Sequence, residues 1–260
     1  MEMNGVVVVR EVSEVSAKHL QARPVMSAPG IEWVAGALIL GVLCGAAPSA
    51  LAAPFERAGL IRIPASQYEN FIALSREERG PDPAVLARGL RAFSRARARH
   101  QITRNVLTLI DYRLPSDERR LWVMDLEVGR VLFHELVAHG ENTGKARARA
   151  FSNRMGSHQS SLGTFVTGAT YVGQHGYSLR LQGMDPGIND RAMERAIVIH
   201  GAHYVSDDFV ARYGRLGRSW GCPALPMEVA APVIDTIKNG SVIFSYYPDP
   251  DLEHHSRYLR

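Results

Sequence analysis

The chain has 260 residues, 46% of them hydrophobic, with 30 basic and 26 acidic side chains for a net charge of +4, and two cysteines. That is enough chain for one large domain or two small ones with an ordinary apolar core, and it excludes intrinsic disorder, a collagen-like repeat and a disulfide-stapled scaffold. Only Lys18, Lys145 and Lys238 are lysines, an arginine bias that codon usage explains more simply than nucleic-acid binding does.

In chain order, the first feature is the uncharged apolar run Trp33 to Ala47, followed by Pro48 and the small residues Ser49 to Ala53. Such a run is short for a membrane span, which needs ~20 residues, and suits a signal-peptide core with cleavage near Ala52 or Ala53. Glu32 and the long, weakly basic Met1 to Ile31 depart from that pattern, and initiation at Met26 would leave no basic residue. Reading on through Ala53 gives the alternative of an uncleaved anchor. The expectation is an exported protein of the periplasm or cell envelope, touching a membrane only through this segment. Cys44 lies inside the run, and Leu43 before it fits a lipid-attachment site poorly. Without the segment, Cys222 is the one remaining thiol and no internal disulfide can close. The remaining 27 basic and 22 acidic side chains, net +5, suit an anionic envelope polymer.

Ser66-Gln67-Tyr68-Glu69 reads as a capping box opening a short helix. Asp82-Pro83 is a second helix start, followed by Leu86, Leu90 and Phe93 at helical spacing. Arg88, Arg91, Arg95 and Arg99 fall off that stripe and read as a solvated face. From Asn105 the period becomes two, so Val106 to Tyr112 is a predicted strand, and Leu121 to Leu126 with Val131 to Ala138 form a hairpin turning near Val128-Gly129. Asn142 to Ser161 is a long polar loop, long enough to suggest function. Strands follow at Gly163 to Thr167, Ser178 to Leu181 and Ala196 to His200. Pro226 to Lys238 is a helix containing Pro232, and Ser241 to Tyr247 is a last strand. The sum is an α+β chain, a small helical N-terminal part followed by a β-rich domain.

Three stretches carry candidate chemistry. His134 and His139 are five apart on a predicted strand, where odd separation puts them on opposite faces, so the four-residue helical spacing of a zinc protease is missing. A structural or loop-orienting role for His139-Gly140 is expected instead. His200-Gly201-Ala202-His203 ends an apolar strand without well-spaced supporting ligands, so no metal site is assigned. Gly214 to Leu225 is the most unusual stretch. Its glycines do not match a phosphate loop, but they permit a tight backbone around Cys222 with amides free to face an anion. Gly221 allows close approach of a substrate backbone, and the helix expected soon after would lower the thiol pKa. With His200 or His203 as base, this is a cysteine acyl-transfer site, weighed against a buried inert thiol.

At these residues the chain resembles the L,D-transpeptidases, the YkuD-type catalytic domains that crosslink peptidoglycan. Ile199-His200-Gly201 and Ser219-Trp220-Gly221-Cys222 match, in order, the family's Ile-His-Gly and Ser-His-Gly-Cys. Ser161 to Phe165 resembles its upstream strand, and Gly217-Arg218-Ser219-Trp220-Gly221-Cys222-Pro223 is similar to a murein L,D-transpeptidase subgroup. That subgroup also shares Val137 to Gly140, Phe151 to Asn153 and Ser178 to Leu181. The likeness runs over roughly Leu109 to Tyr247. Trp220 stands where the family has histidine, Pro223-Ala224 replaces a hydrophobic-Arg pair, and the interval from His200 to Cys222 is longer than usual. The resemblance implies that His200 deprotonates Cys222 while the Gly201 carbonyl orients the imidazole. Amides around Trp220, Gly221 and Cys222 would hold the oxyanion, at ~3 kcal/mol per donor. It implies peptidoglycan stem peptides as donor and acceptor, thioester formation and 3→3 crosslinking, with no cofactor or metal. Arg218, Arg215, Arg180 and His203 are the substrate-binding candidates. An L,D-carboxypeptidase or a non-catalytic wall-binding module are the alternatives. The expected division is an export segment over 1–53, a helical region over 54–104, a catalytic domain over 105–248 and a tail over 249–260.

Overall fold

The computed structural model describes residues 80–260. The export segment and the helix expected at Ser66 lie outside the described residues. Helix α1, Pro83–Ala98, starts where Asp82 caps it: the carboxylate accepts from the amides of Ala84 at 2.8 Å and Val85 at 3.2 Å, with proline at the first position. Its Leu86, Leu90 and Phe93 stripe is buried.

Eight strands form one sheet in the order β3-β2-β1-β8-β4-β5-β6-β7. They are β1 Val106–Asp111, β2 Leu121–Asp125, β3 Arg130–Glu135, β4 Gly163–Gly173, β5 Gly176–Gly183, β6 Val198–Gly201, β7 Ala224–Leu225 and β8 Val242–Tyr246. The β1/β8 and β6/β7 pairs are parallel and the others antiparallel. All of β1 is buried, so its expected alternation does not separate a wet face from a dry one. It lies between β2 and β8, and both faces are covered. The hairpin of β2 and β3 turns at Gly129, whose φ of 68° suits glycine. β3 ends at Glu135, and Ala138 then leaves to bridge Ala224. β4 and β5 are longer than expected and form a hairpin across a register shift between Thr167 and Thr170.

Two further helices flank β7: α2, Asp207–Tyr213, capped by Ser206, and α3, Met227–Ile237, with Pro232 inside it. The periodicity did not indicate α2. Helix α4, Pro250–His255, follows β8.

The expected boundaries at 104 and 248 are not boundaries of packing. Val85, Leu86, Leu90 and Phe93 of α1 share one core cluster with β1, β8, Leu252, Tyr258 and Leu259. Part of the expected solvated arginine face is likewise engaged. Arg88 pairs with Glu253 at 2.8 Å, Arg91 donates to the Leu259 carbonyl, and Arg99 lies over the Tyr258 ring. The last twelve residues are therefore docked structure, held to α1 by apolar burial and by these cations. A smaller cluster of Leu136, Ala138, Ala202, Val205, Leu216 and Ala224 supports the end of β6 where the cysteine loop joins it.

Candidate active site

Strand β6 carries His200, and the turn before β7 carries Cys222. The parallel register sets His200 opposite Ala224. Cys222 lies two residues before β7, outside the paired strand. The Val198 amide of β6 donates to the Cys222 sulfur at 3.4 Å. The thiol is 8% exposed and points at the Ala196 carbonyl, 3.7 Å away.

The turn is held by two serines. Ser219 Oγ accepts from the Gly221 amide at 3.0 Å and donates to the Cys222 carbonyl at 2.6 Å. Ser160 Oγ accepts from the Gly140 amide and donates to the Gly221 carbonyl, both at 3.0 Å. Gly221 has φ 125°, and a Cβ there would meet the Gln159 carbonyl at 2.8 Å, so no other residue fits without displacement. This geometry narrows the expected oxyanion donors. The Gly221 amide is already occupied, which leaves the amides of Trp220 and Cys222.

His200 is buried at 3% exposure, and its Nδ1 lies 2.9 Å from the Gly201 carbonyl. A carbonyl can only accept, so Nδ1 carries the proton and Nε2 is the basic nitrogen. Gly201 is close-packed: a Cβ would stand 3.0 Å from both Ala230 and the Met227 sulfur, so α3 presses on this end of β6. Burial holds the imidazole below its ordinary pKa, and the nearby His175 adds to that, against the opposing Gly201 bond. His175 sits in the β4–β5 turn and stacks on His200 with ring centroids 4.4 Å apart. Burial raises the Cys222 thiol, while the Val198 amide, Arg195 and its own amide oppose the shift. The net direction is opposite to the lowering expected from a following helix, because α3 begins only at Met227 and the sulfur sits in an apolar wall. At neutral pH Cys222 therefore rests as a thiol and His200 as a neutral imidazole.

The remaining candidates separate. Trp220 is 72% exposed and stacks on His158 at 4.9 Å, and His158 Nδ1 pairs with Glu141 at 2.6 Å. Arg218 donates to the carbonyls of Glu141 and Gly144 and, with Lys145, Arg147 and Arg149, lines a cleft of about 630 Å³. Arg215 instead closes on the Leu216 carbonyl at 2.7 Å. Arg180 faces Val198 across β5 and β6, with its guanidinium over the Tyr171 ring. His203 is exposed on the turn beyond β6 and is not part of the strand that carries His200.

His134 and His139 share no ligand position. His134 Nε2 lies 3.0 Å from the Arg119 carbonyl and the ring stacks on Trp122, whereas His139 is buried with Nδ1 2.8 Å from Arg120.

Arg195, His175, Ser160 and the pairing role of Ser219 were missed in the sequence. The first three lie 27 or more residues from Cys222 and carry no local motif, so only strand pairing and loop packing reveal them.

Comparison with known proteins agrees with this architecture. The L,D-transpeptidase catalytic domain model (YkuD_2) matches residues 77–246, and the chain belongs to that family, with its β-rich α+β fold. No curated protein matches the chain. Among solved structures it is similar to an L,D-transpeptidase from Mycobacterium smegmatis, at 18% identity and TM-score 0.35 over 55% of this chain and 59% of that one. It is also similar to the helical cell shape determining protein Pgp2 from Campylobacter jejuni, at 14% identity and TM-score 0.36 over 55% and 48%. A third is L,D-transpeptidase 3 from Mycobacterium tuberculosis in complex with a faropenem-derived adduct, at 13% identity and TM-score 0.33 over 55% and 60%. The match spans about half to three fifths of those chains' lengths.

Proposed function

We propose that the protein is an exported cysteine L,D-transpeptidase acting on peptidoglycan stem peptides, with Cys222 as nucleophile and His200 as base. The observation that carries this reading is the His200 tautomer: with Nδ1 committed to the Gly201 carbonyl, Nε2 is free to take a proton, and the strand that carries it also supplies the Val198 amide to the Cys222 sulfur. His200 Nε2 accepts the thiol proton as the sulfur attacks the carbonyl carbon at the L-centre of the third stem residue. The C–S bond forms, the C–N bond to the terminal D-alanine breaks, and the imidazolium returns its proton to the leaving amine. A side-chain amine of a second stem then attacks the thioester, C–N forms and C–S breaks, and the amine's proton passes through His200 to the departing sulfur, giving a 3→3 crosslink and the free thiol. The amides of Trp220 and Cys222 hold the oxyanion, while Arg218, at the edge of its basic cleft, or Arg180 receives a substrate carboxylate. Export rests on the apolar run Trp33 to Ala47.

The test is incubation with disaccharide-tetrapeptide. The wild type releases D-alanine, forms crosslinked dimer and carries a thioester on Cys222 by mass spectrometry, and Cys222→Ala does none of these. Tripeptide without dimer selects the L,D-carboxypeptidase. The burial of the thiol favours a second reading, a wall-binding module with an inert cysteine, which requires Cys222 to resist iodoacetamide while the protein still binds sacculi.

A further inference from the structure

Arg195 precedes Ala196, a non-glycine residue in the left-handed region, and has no catalytic assignment above. Its guanidinium donates to the Ser152 carbonyl, the Gln159 carbonyl and Ser161 Oγ, each at 2.5 Å, and to Ser157 Oγ at 3.1 Å. All four acceptors are neutral, and no carboxylate among the described residues forms an ion pair with it. The nearby acids are engaged elsewhere, Glu194 with Arg191 and Asp190 with Asn153. A half-buried cation with only neutral partners keeps its charge uncompensated, which is costly unless an anion forms nearby.

The anion-forming group beside it is Cys222. A Cβ placed on Gly221 would stand 3.4 Å from Arg195 Nη2, so the guanidinium borders the residue that precedes the thiol. Ala196, next in the chain, holds φ 53°, a left-handed conformation unusual for alanine, and its carbonyl faces the sulfur. Val198 supplies the amide to the same sulfur. Residues 195 to 198 thus wrap the thiol with a cation, an acceptor and a donor in sequence. The mutual effect has the right sign: Arg195 favours the cysteine's charged form, and the cysteine opposes the lowering that burial imposes on Arg195.

We propose that Arg195 is a positioning residue that compensates the negative charge on Cys222 as the thiol gives its proton to His200, while clasping the loop 152–161 against the nucleophile turn. The proposal rests on Cys222 being the nucleophile and adds the group that balances its charge. It also gives the long polar loop a task, since the clasp ties three of its segments to one guanidinium. Tyr112 and Tyr204 are the other ionisable groups near the sulfur. Burial raises both, Tyr204 to about 12, so neither changes charge in the neutral range.

The test is the pH profile of Cys222 alkylation by neutral iodoacetamide in the full chain, read by mass spectrometry on the peptide that carries Cys222. Arg195→Gln is expected to move the midpoint up by about one pH unit, slowing alkylation at pH 7 about tenfold, with an unchanged plateau at high pH. Arg195→Lys is expected to keep most of the wild-type profile. The double variant Ser157→Ala/Ser161→Ala, which loosens the clasp and retains the charge, is expected to leave the midpoint in place. A superimposable Arg195→Gln profile overturns the proposal, as does a double-serine variant that shifts as far as Arg195→Gln. If Arg195→Gln does not fold, Arg195→Lys decides: a midpoint close to wild type supports the role of charge, and an upward shift with an intact thermal melt overturns it. Alkylation needs no stem peptide. Absent transpeptidation with an Arg195-dependent profile therefore rejects the proposed reaction alone, and crosslinking with an Arg195-independent profile rejects this inference alone.

Discussion

Two buried histidines, His139 and His200, have opposite prospects because of what occupies Nδ1. At His139 the Arg120 guanidinium donates to Nδ1, so that nitrogen is an acceptor already in use. Arg120 is fully buried, donates also to the Val137 and Leu114 carbonyls, and lies 5.0 Å over the Tyr112 ring. Burial and the Arg120 charge push the His139 pKa down to about 3, so it stays neutral at any working pH. At His200 the partner is a carbonyl, which fixes the proton on Nδ1 and leaves Nε2 free to act. Similar burial thus produces a structural knot in one place and a usable base in the other, and the sign of the partner decides which.

The largest test of that contrast is His200→Gln. Turnover of stem peptide is expected to fall 10²- to 10⁴-fold, the usual worth of a positioned base, with little change in thermal stability. An unchanged rate would remove His200 from the proposed mechanism. The reverse is expected of Arg120→Leu, which leaves Val137, Leu114 and His139 without their donor. Urea unfolding should show a loss of about 2–4 kcal/mol, and equal stability would mean that the knot is not structural.

Acid provides a third probe. Because the folded His139 pKa of about 3 lies below the unfolded value near 6.5, the unfolded state binds more protons between those limits, so stability present above pH 6.5 is lost as pH falls. His200 shifts in the same direction. At pH 4.5, His139 alone should contribute a loss of roughly 2–3 kcal/mol, and a flat stability profile from pH 7 to 4.5 would contradict its buried neutral state. The smallest effect is expected at Ala196, where glycine tolerates φ 53°. Ala196→Gly should stabilise by at most about 1 kcal/mol in a thermal melt, and a loss beyond that would show that the alanine methyl is needed for packing.

Features with local causes were legible in the sequence. Asp82-Pro83 starts a helix because cap and proline act within one turn, and the glycine before Cys222 signals a backbone that only glycine adopts. His200 could be placed at a strand end, but His203 could not be dismissed until β6 was seen to stop at Gly201. What stayed hidden depends on pairing between distant segments. His175 reaches His200 only because the β5/β6 register sets Ser178 opposite His200, and Arg195 reaches Cys222 only because the loop 152–161 folds over both. The Gly221 amide looked available as an oxyanion donor because a side-chain acceptor two residues away, Ser219 Oγ, is a matter of rotamer. The docked C-terminal segment was read as a tail since its apolar residues are too few to show periodicity.

The place of β8 in the strand order has a consequence for biosynthesis. Among the described strands, Val242–Tyr246 comes last in the chain and joins β1, β2 and β3 to β4, β5, β6 and β7, with the Ala138–Ala224 bridge as a second tie between the two ends. Until the ribosome has released it, the nascent chain holds two part-sheets, each with a bare inner edge open to mispairing. Joining strands more than 130 residues apart closes a long loop, which makes this a slow event in folding. A stop codon between Leu225 and Ser241 would therefore leave every residue of the candidate site translated, yet on a half-sheet without its other half.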